Sequence, residues 1–387
     1  MEPENQPQPP DNLPAEDSAR RGPASEPLTH PQDSRISRGA EWVFLGSHGL
    51  RAGWAVLITV LLFRLFMLVA GTAFFMAHLV SEKSEFTSRA AFFGELIPFL
   101  AMLGAVAIAA LLQQRRMLDF NLTGPRRSLH FLSGLVFGFA ALSALVGALA
   151  SGHWLSFGPV QLSGAAIFRL GALWAVVFLL VACVEEGIFR GYLLFTLTHS
   201  INFWWALGAE AAMCLYLVVF ARGNGVWGVY FIAAAGLAPC LWLHLKKTEG
   251  SSFWQAAWVT STFFGTVHTG NNGENWIGIF AAAAIGLVFC VSVRVTGSVW
   301  WAIGCHSAWD WAETYFYGTA DSGMVAQGHY LSTTPAGNPL WSGGSDGPEG
   351  SLLVLGVILL LLLALLAIYG RRRPAAETAH VREQLAG

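Results

Sequence analysis

The sequence predicts an all-α fold, a polytopic transmembrane helical bundle of about ten spans, with eight as the lower bound. Hydrophobic residues make up 54% of the 387-residue chain and charged residues only 12%, for a mean hydropathy of +0.52. A soluble domain carries roughly twice that share of charge. Apolar runs also recur along the chain at close to the ~20 residues that a helix needs to cross a ~30 Å hydrocarbon core. Finally, most Lys and Arg fall between those runs, where loops would lie.

Taken in order, residues 1–40 are polar and Pro-rich with no apolar h-region, so they are expected to form a disordered cytoplasmic tail and not a cleaved signal peptide. Residues 41–168 are expected to hold the N-terminal transmembrane helices, with runs at 54–76, 92–112 and 131–150. The segment 169–317 contains six more runs, at 170–195, 203–220, 226–245, 253–268, 276–293 and 299–316. Run 253–268 is short enough for a tilted or re-entrant element. A loop at 318–350, a last helix at 351–370 and a basic tail at 371–387 complete the chain.

If ten spans alternate, Arg51, the group Arg115, Arg116, Arg126 and Arg127, then Lys246, Lys247, Arg294 and Arg371 to Arg373 share one side. The other side holds Lys83, Arg89 and Arg222, and its long loop 318–350 has no Lys or Arg. The positive-inside rule then puts both termini in the cytoplasm of a multi-pass protein of the cell's inner or plasma membrane, and loop 318–350 outside. The lipid bilayer is the first partner this implies. No basic, aromatic-interleaved surface suggests nucleic acid. All five cysteines lie in apolar runs without paired spacing, as small buried hydrophobes do. A shared Phe-Trp-x-Ala core at Phe203 and Phe253 suggests that 204–252 is an inserted helical hairpin, although Phe and Trp also recur at membrane interfaces without any such meaning.

Charges inside apolar runs are costly and therefore informative. Arg64 and Glu95 are expected to pair between neighbouring helices, and Glu210 stands alone in its run with no assigned role. The run VEEGIFRGYLLF is different in kind. Glu186 and Arg190 are four apart and share a helix face as an ion pair. Glu185 points roughly 100° away and lacks that partner. A carboxylate desolvated in this way is a candidate general base, so Glu185 is the expected chemical group, with Glu186 and Arg190 supporting it. Two further runs repeat the four-residue spacing, Phe264 with His268 and His306 with Asp310. Polar groups on three apolar helices suggest one convergent site.

Read in order, Glu185-Glu186-x-x-x-Arg190, Phe264-x-x-x-His268 and His306-x-x-x-Asp310 resemble the three motifs of the CAAX prenyl endopeptidase and bacteriocin-processing (CPBP, or Abi) intramembrane proteases. The resemblance covers about residues 170–316 and implies a CAAX-protease-like core. It also implies endopeptidase cleavage of a membrane-anchored or lipidated peptide or protein. By that likeness Glu185 activates water with help from His268, and His306 with Asp310 stabilises the oxyanion. Arg190 would brace the Glu pair.

Two departures from the family pattern bear on mechanism. The family often has Asn where this chain has Asp310, and an ionised Asp cannot donate to an oxyanion. Asp310 must therefore be protonated, orient His306, or bind a metal. About 80 residues also separate Glu185 from His268, room for the suggested hairpin. Glu185, His268, His306 and Asp310 are ligand types that suit a divalent metal such as zinc, so a metalloprotease and a metal-free Glu/His protease both stay open. The rival reading is a non-catalytic transporter or scaffold with the same fold, in which these charges serve transport.

Overall fold

The computed structural model describes residues 44–46, 49–80, 86–221, 223, 225–271 and 273–370. The expected tails 1–40 and 371–387, and loop residues Lys83 and Arg222, lie outside the described residues. Helices dominate: α1 (Ala52–Met76), α2 (Ser88–Leu112), α3 (Arg127–Ser151), α4 (Ala165–Thr198), α5 (Phe203–Phe220), α6 (Val226–Leu245), α7 (Ser251–His268), α8 (Trp276–Thr296), α9 (Trp300–Asp310) and α10 (Leu352–Tyr369). Polar caps start several of them. The side chains of Asn202 and Asn275 each accept from two backbone N–H groups at the beginnings of α5 and α8, and Thr87 and Ser351 cap α2 and α10.

Among the described residues, eight helices are long and apolar enough to cross a bilayer. The protein is a multi-pass membrane protein, at the lower bound of the expected span count. The two expected spans that miss this threshold are α7 and α9, which carry His268 and His306. Helix α9 is only 11 residues long before its winding changes, and for α7 the composition explains it. Helix α7 includes Ser251, Ser252, Gln255, Thr260, Ser261, Thr262 and Thr266, and nearly every residue from Phe253 to Thr266 is buried. A helix wrapped by other helices need not be soluble in lipid, provided that its hydroxyls bond internally. Thr260 and Thr266 do so, donating to the carbonyls of Ala256 and Thr262 at 2.8 Å each.

Small residues set the position of α9. Cβ atoms added at Gly134 and Gly138 of α3 would lie 2.3 Å from the Trp301 carbonyl oxygen and 2.0 Å from that of Cys305. This Gly-x-x-x-Gly stripe lets the two backbones touch, the usual way for membrane helices to associate without a hydrophobic drive. His306 follows Cys305 directly, so its placement rests on this contact.

Both α4 and α9 change their winding just after their acidic residues. The α-helical part of α4 ends at Glu186 and continues as a π-helix over Gly187–Leu193, and α9 runs into a π-helix at Trp311–Tyr317. Such wide turns are uncommon and recur at functional sites. Helices α5 and α6 form a pair that packs on α7 and α8. The segment after α9 folds back over the bundle. Its strand Thr333–Pro335 pairs antiparallel with Leu155–Phe157, Trp341 stacks on Trp154, and the backbone N–H groups of Gln327 and Tyr330 donate to Phe86 and Tyr315.

Candidate active site

At the end of the α-helical part of α4, Glu186 and Arg190 form the expected ion pair, with Nη1 3.0 Å from Oε1 and both side chains wholly buried. The guanidinium lies 4.1 Å from the centroid of the Phe264 ring and within 6 Å of the Phe189 and Phe289 rings. An aromatic face attracts a cation and excludes water, so this cage holds a charge that could not otherwise be buried. Room for it comes from α8, where a Cβ at Gly286 would meet Nη2 at 2.3 Å. Phe264 thus acts as a wall of the cage.

The same Glu186 oxygen receives a second group, Nδ1 of His306 at 3.0 Å. A carboxylate that already accepts from Arg190 accepts here as well, so Nδ1 carries the hydrogen. The far side of the ring is thereby fixed. Nε2 faces Glu185 Oε2 at 3.7 Å and Asp310 Oδ2 at 3.4 Å, close enough for strong electrostatic contact but too long for a direct hydrogen bond to either.

His268 is the last residue of α7, and its Nδ1 donates to the Phe264 carbonyl at 2.7 Å. A carbonyl can only accept, so the neutral ring keeps its lone pair on Nε2. The two imidazoles are therefore not equivalent: His306 is held among carboxylates, while His268 presents a proton-accepting nitrogen.

One cavity of about 460 Å³ gathers these groups, with Glu185, His268, His306, Asp310 and Phe264 all in its wall. The sequence left His268 at a helix end and Glu185 within a long helix, and the cavity reaches both. Other groups lining it were not foreseen. Glu95 of α2 lines the cavity, and among the described residues no ion pair joins it to Arg64. The expected pairing with Arg64 is therefore not formed, and the intramembrane charge of Glu95 belongs to the cavity wall. Asp321, Ser322, Gly323, Met324 and Glu349 come from the loop between α9 and α10 and also line the cavity. No motif marks them, because only the fold-back of that loop brings them there. Thr314 donates to Asp321 at 2.8 Å, and Trp309 Nε1 donates to Glu349 at 2.6 Å. Burial pushes the Asp321 carboxyl above the ordinary range, against the pull of its bond from Thr314. Burial, with Asp321 and Glu274 nearby, raises Glu349 to about 8. Glu210 lies elsewhere, buried in α5.

Residues 166–312 match the family model described as type II CAAX prenyl endopeptidase, Rce1-like. That segment is similar to the core of the CAAX prenyl endopeptidases. It runs from the start of α4 into the π-turn after Asp310, so it contains all three motif pairs. The resemblance read from those motifs is borne out there, although the matched segment is less than half of the chain. No curated protein and no solved structure matches the chain significantly.

The family resemblance left a divalent metal open, and the ligand geometry bears on it. Among the described residues, no group of three or more His, Cys, Asp or Glu side chains is arranged to hold a metal ion. The metalloprotease expectation finds no support in the arrangement of these groups. What the site offers chemically is its own acids, bases and N–H donors.

Proposed function

We propose that the protein is an intramembrane endopeptidase that hydrolyses a peptide bond of a membrane-associated or lipidated substrate, using its own side chains alone. The observation that carries this reading is the convergence of Glu185, His268, His306 and Asp310, from three helices, on one cavity. Glu185 is the general base. It removes a proton from water, whose oxygen attacks the scissile carbonyl carbon, and the lone pair on His268 Nε2 orients that water. Negative charge then develops on the carbonyl oxygen in front of His306, which acts as the imidazolium, donating from Nδ1 to the Arg190-paired Glu186 and from Nε2 to that oxygen. Asp310 keeps that donor in place electrostatically, which gives it a role as Asp without requiring it to donate. Collapse of the intermediate breaks the C–N bond, and the proton held by Glu185 passes to the departing amine.

The orientation that fits the Lys and Arg distribution has both termini in the cytoplasm. The test compares the peptides in membranes that carry wild-type protein with those in membranes carrying Glu185→Gln. Fragments present only with the wild type, and unaffected by a chelator, are expected. An unchanged peptide pool would favour the non-catalytic transporter or scaffold, and chelator sensitivity would replace the metal-free mechanism with a metal-dependent one.

A further inference from the structure

The cavity wall is strongly biased in charge. Among the described residues, Glu95, Glu185, Asp310, Asp321 and Glu349 line it, and no Lys or Arg does. The guanidinium of Arg190 is sealed behind Phe264 and already bonded to Glu186. Catalysis as proposed needs Glu185 and Asp310 but gives Asp321 and Glu349 no task.

A second, independent observation shows the direction of the bias. Glu313, in the π-turn after α9, is 0% exposed, and neither carboxylate oxygen has a hydrogen-bond partner. It does not line the cavity, but Glu349, Asp321, Asp310 and Asp346 lie near enough to act on it electrostatically. Asp346, 1% exposed, is similar. Its Oδ2 accepts from the Asn275 N–H at 3.1 Å while Oδ1 has no partner. A buried carboxylate without a partner is costly, and several together are costlier still unless they take up protons or a cation joins them.

Two kinds of cation fit that description in principle, a bound metal ion and the head group of a basic side chain. The spacing distinguishes them. A metal needs three or more ligands closing on a point, and among the described residues no such group exists. Carboxylates spread along the wall of a cavity of about 460 Å³ suit an ammonium or guanidinium, whose several donors reach outward to separate acceptors.

Resting on the endopeptidase reading, we infer that the substrate carries a Lys or Arg side chain near the scissile bond, and that its cationic head is held by Asp321 and Glu349 with Glu313 behind them. The same wall disfavours a segment that would present a free carboxylate to these groups. Specificity then lies in the loop after α9, outside the segment that the family model matches, while the chemistry lies within it.

The test uses the full-length protein in proteoliposomes and a library of lipidated peptides with Lys, Arg, Gln or Glu at each position. Two readouts are taken: cleavage by wild-type protein, and binding to Glu185→Gln protein. For cleavage, kcat/KM for Lys or Arg peptides should exceed that of the Gln isosteres by about tenfold or more, chiefly through KM. In Asp321→Asn/Glu349→Gln, whose amides can still accept from Thr314 and Trp309, the Lys-to-Gln ratio should fall towards one. Equal use of Gln and Lys peptides by wild type, or a ratio unmoved in the double variant, overturns the inference.

The binding readout separates this inference from its parent. If no peptide is cleaved but Lys peptides still bind at least about tenfold tighter than Gln peptides, and the double variant abolishes that difference, the endopeptidase reading fails while the cation site stands. If neither cleavage nor selective binding occurs, both fail. Titration with calcium, magnesium or zinc alone supplies the last arm, since a saturable micromolar site lost in the double variant would make this wall a metal site and overturn the inference.

Discussion

Removing Arg190 should reveal how much of the site depends on one buried charge. In Arg190→Met, Glu186 loses its 3.0 Å partner at zero exposure, and the Phe264 ring loses the cation lying 4.1 Å from its centre. Stranding one member of a buried pair costs about 3–5 kcal/mol. The lost cation–π contact adds about 1–2 kcal/mol. Glu186→Gln alone strands Arg190 and should cost a similar amount. The double variant leaves no unpaired charge, and a Met of similar length can fill the cage. It should therefore cost less than the sum of the singles, by a coupling of about 2–3 kcal/mol. Unfolding free energies of the full chain in bicelles, measured as a double-mutant cycle, provide the assay. Costs that add to within about 0.5 kcal/mol would refute the claim that Glu186 and Arg190 act as one unit. A catalytic readout should follow. Because Glu186 also holds Nδ1 of His306, either single variant should lower kcat more than it raises KM.

Two more perturbations test the placement of the site and its charge. Gly138→Ala would drive a methyl into the Cys305 carbonyl and should cost about 1–3 kcal/mol while displacing His306 and reducing activity. Gly147→Ala in the same helix, where a Cβ meets nothing, should be close to neutral, and equal effects at the two positions would contradict the contact. The loop carboxylates should make stability fall with pH. Glu349 and Asp346 are both raised by burial to about 8, so between the ordinary carboxylate range and about pH 8 the folded chain holds protons that the unfolded chain releases. Their stabilising contribution is therefore complete at low pH, is lost as pH rises through about 8, and is flat beyond. Thermal unfolding from about pH 5 to about pH 9 should show that decline, shallower in Glu349→Gln, and a rise over the window would contradict the assignment.

Much of the helical plan was legible in the sequence because lipid demands long apolar runs, and every predicted run coincides with helix in the structure. The two runs carrying His268 and His306 were legible as helices but not as interior ones, since burial by neighbours is a tertiary property. The motif pairs Glu186 with Arg190 and His306 with Asp310 could be read from i,i+4 spacing, which is local. Glu95 was visible as a charge and misassigned to Arg64, because which helix face meets the cavity depends on packing that no single run specifies. Asp321 and Glu349 were beyond reach altogether. They lie in a polar loop without period, and only the pairing of Thr333–Pro335 with Leu155–Phe157 and the backbone bonds from Gln327 and Tyr330 fold that loop over the site. The aromatic cage of Arg190 was one-third legible, since Phe264 belongs to a motif while Phe189 and Phe289 do not.

Whether Glu185 activates water against a peptide carbonyl inside the bundle can be read from cleavage of a lipidated peptide in proteoliposomes prepared in oxygen-18 water. Wild-type protein should place one heavy oxygen from solvent in the new carboxyl terminus, and Glu185→Gln should lower the rate by about a hundredfold or more. Cleavage by Glu185→Gln at the wild-type rate, or products without solvent oxygen, would contradict that role of Glu185.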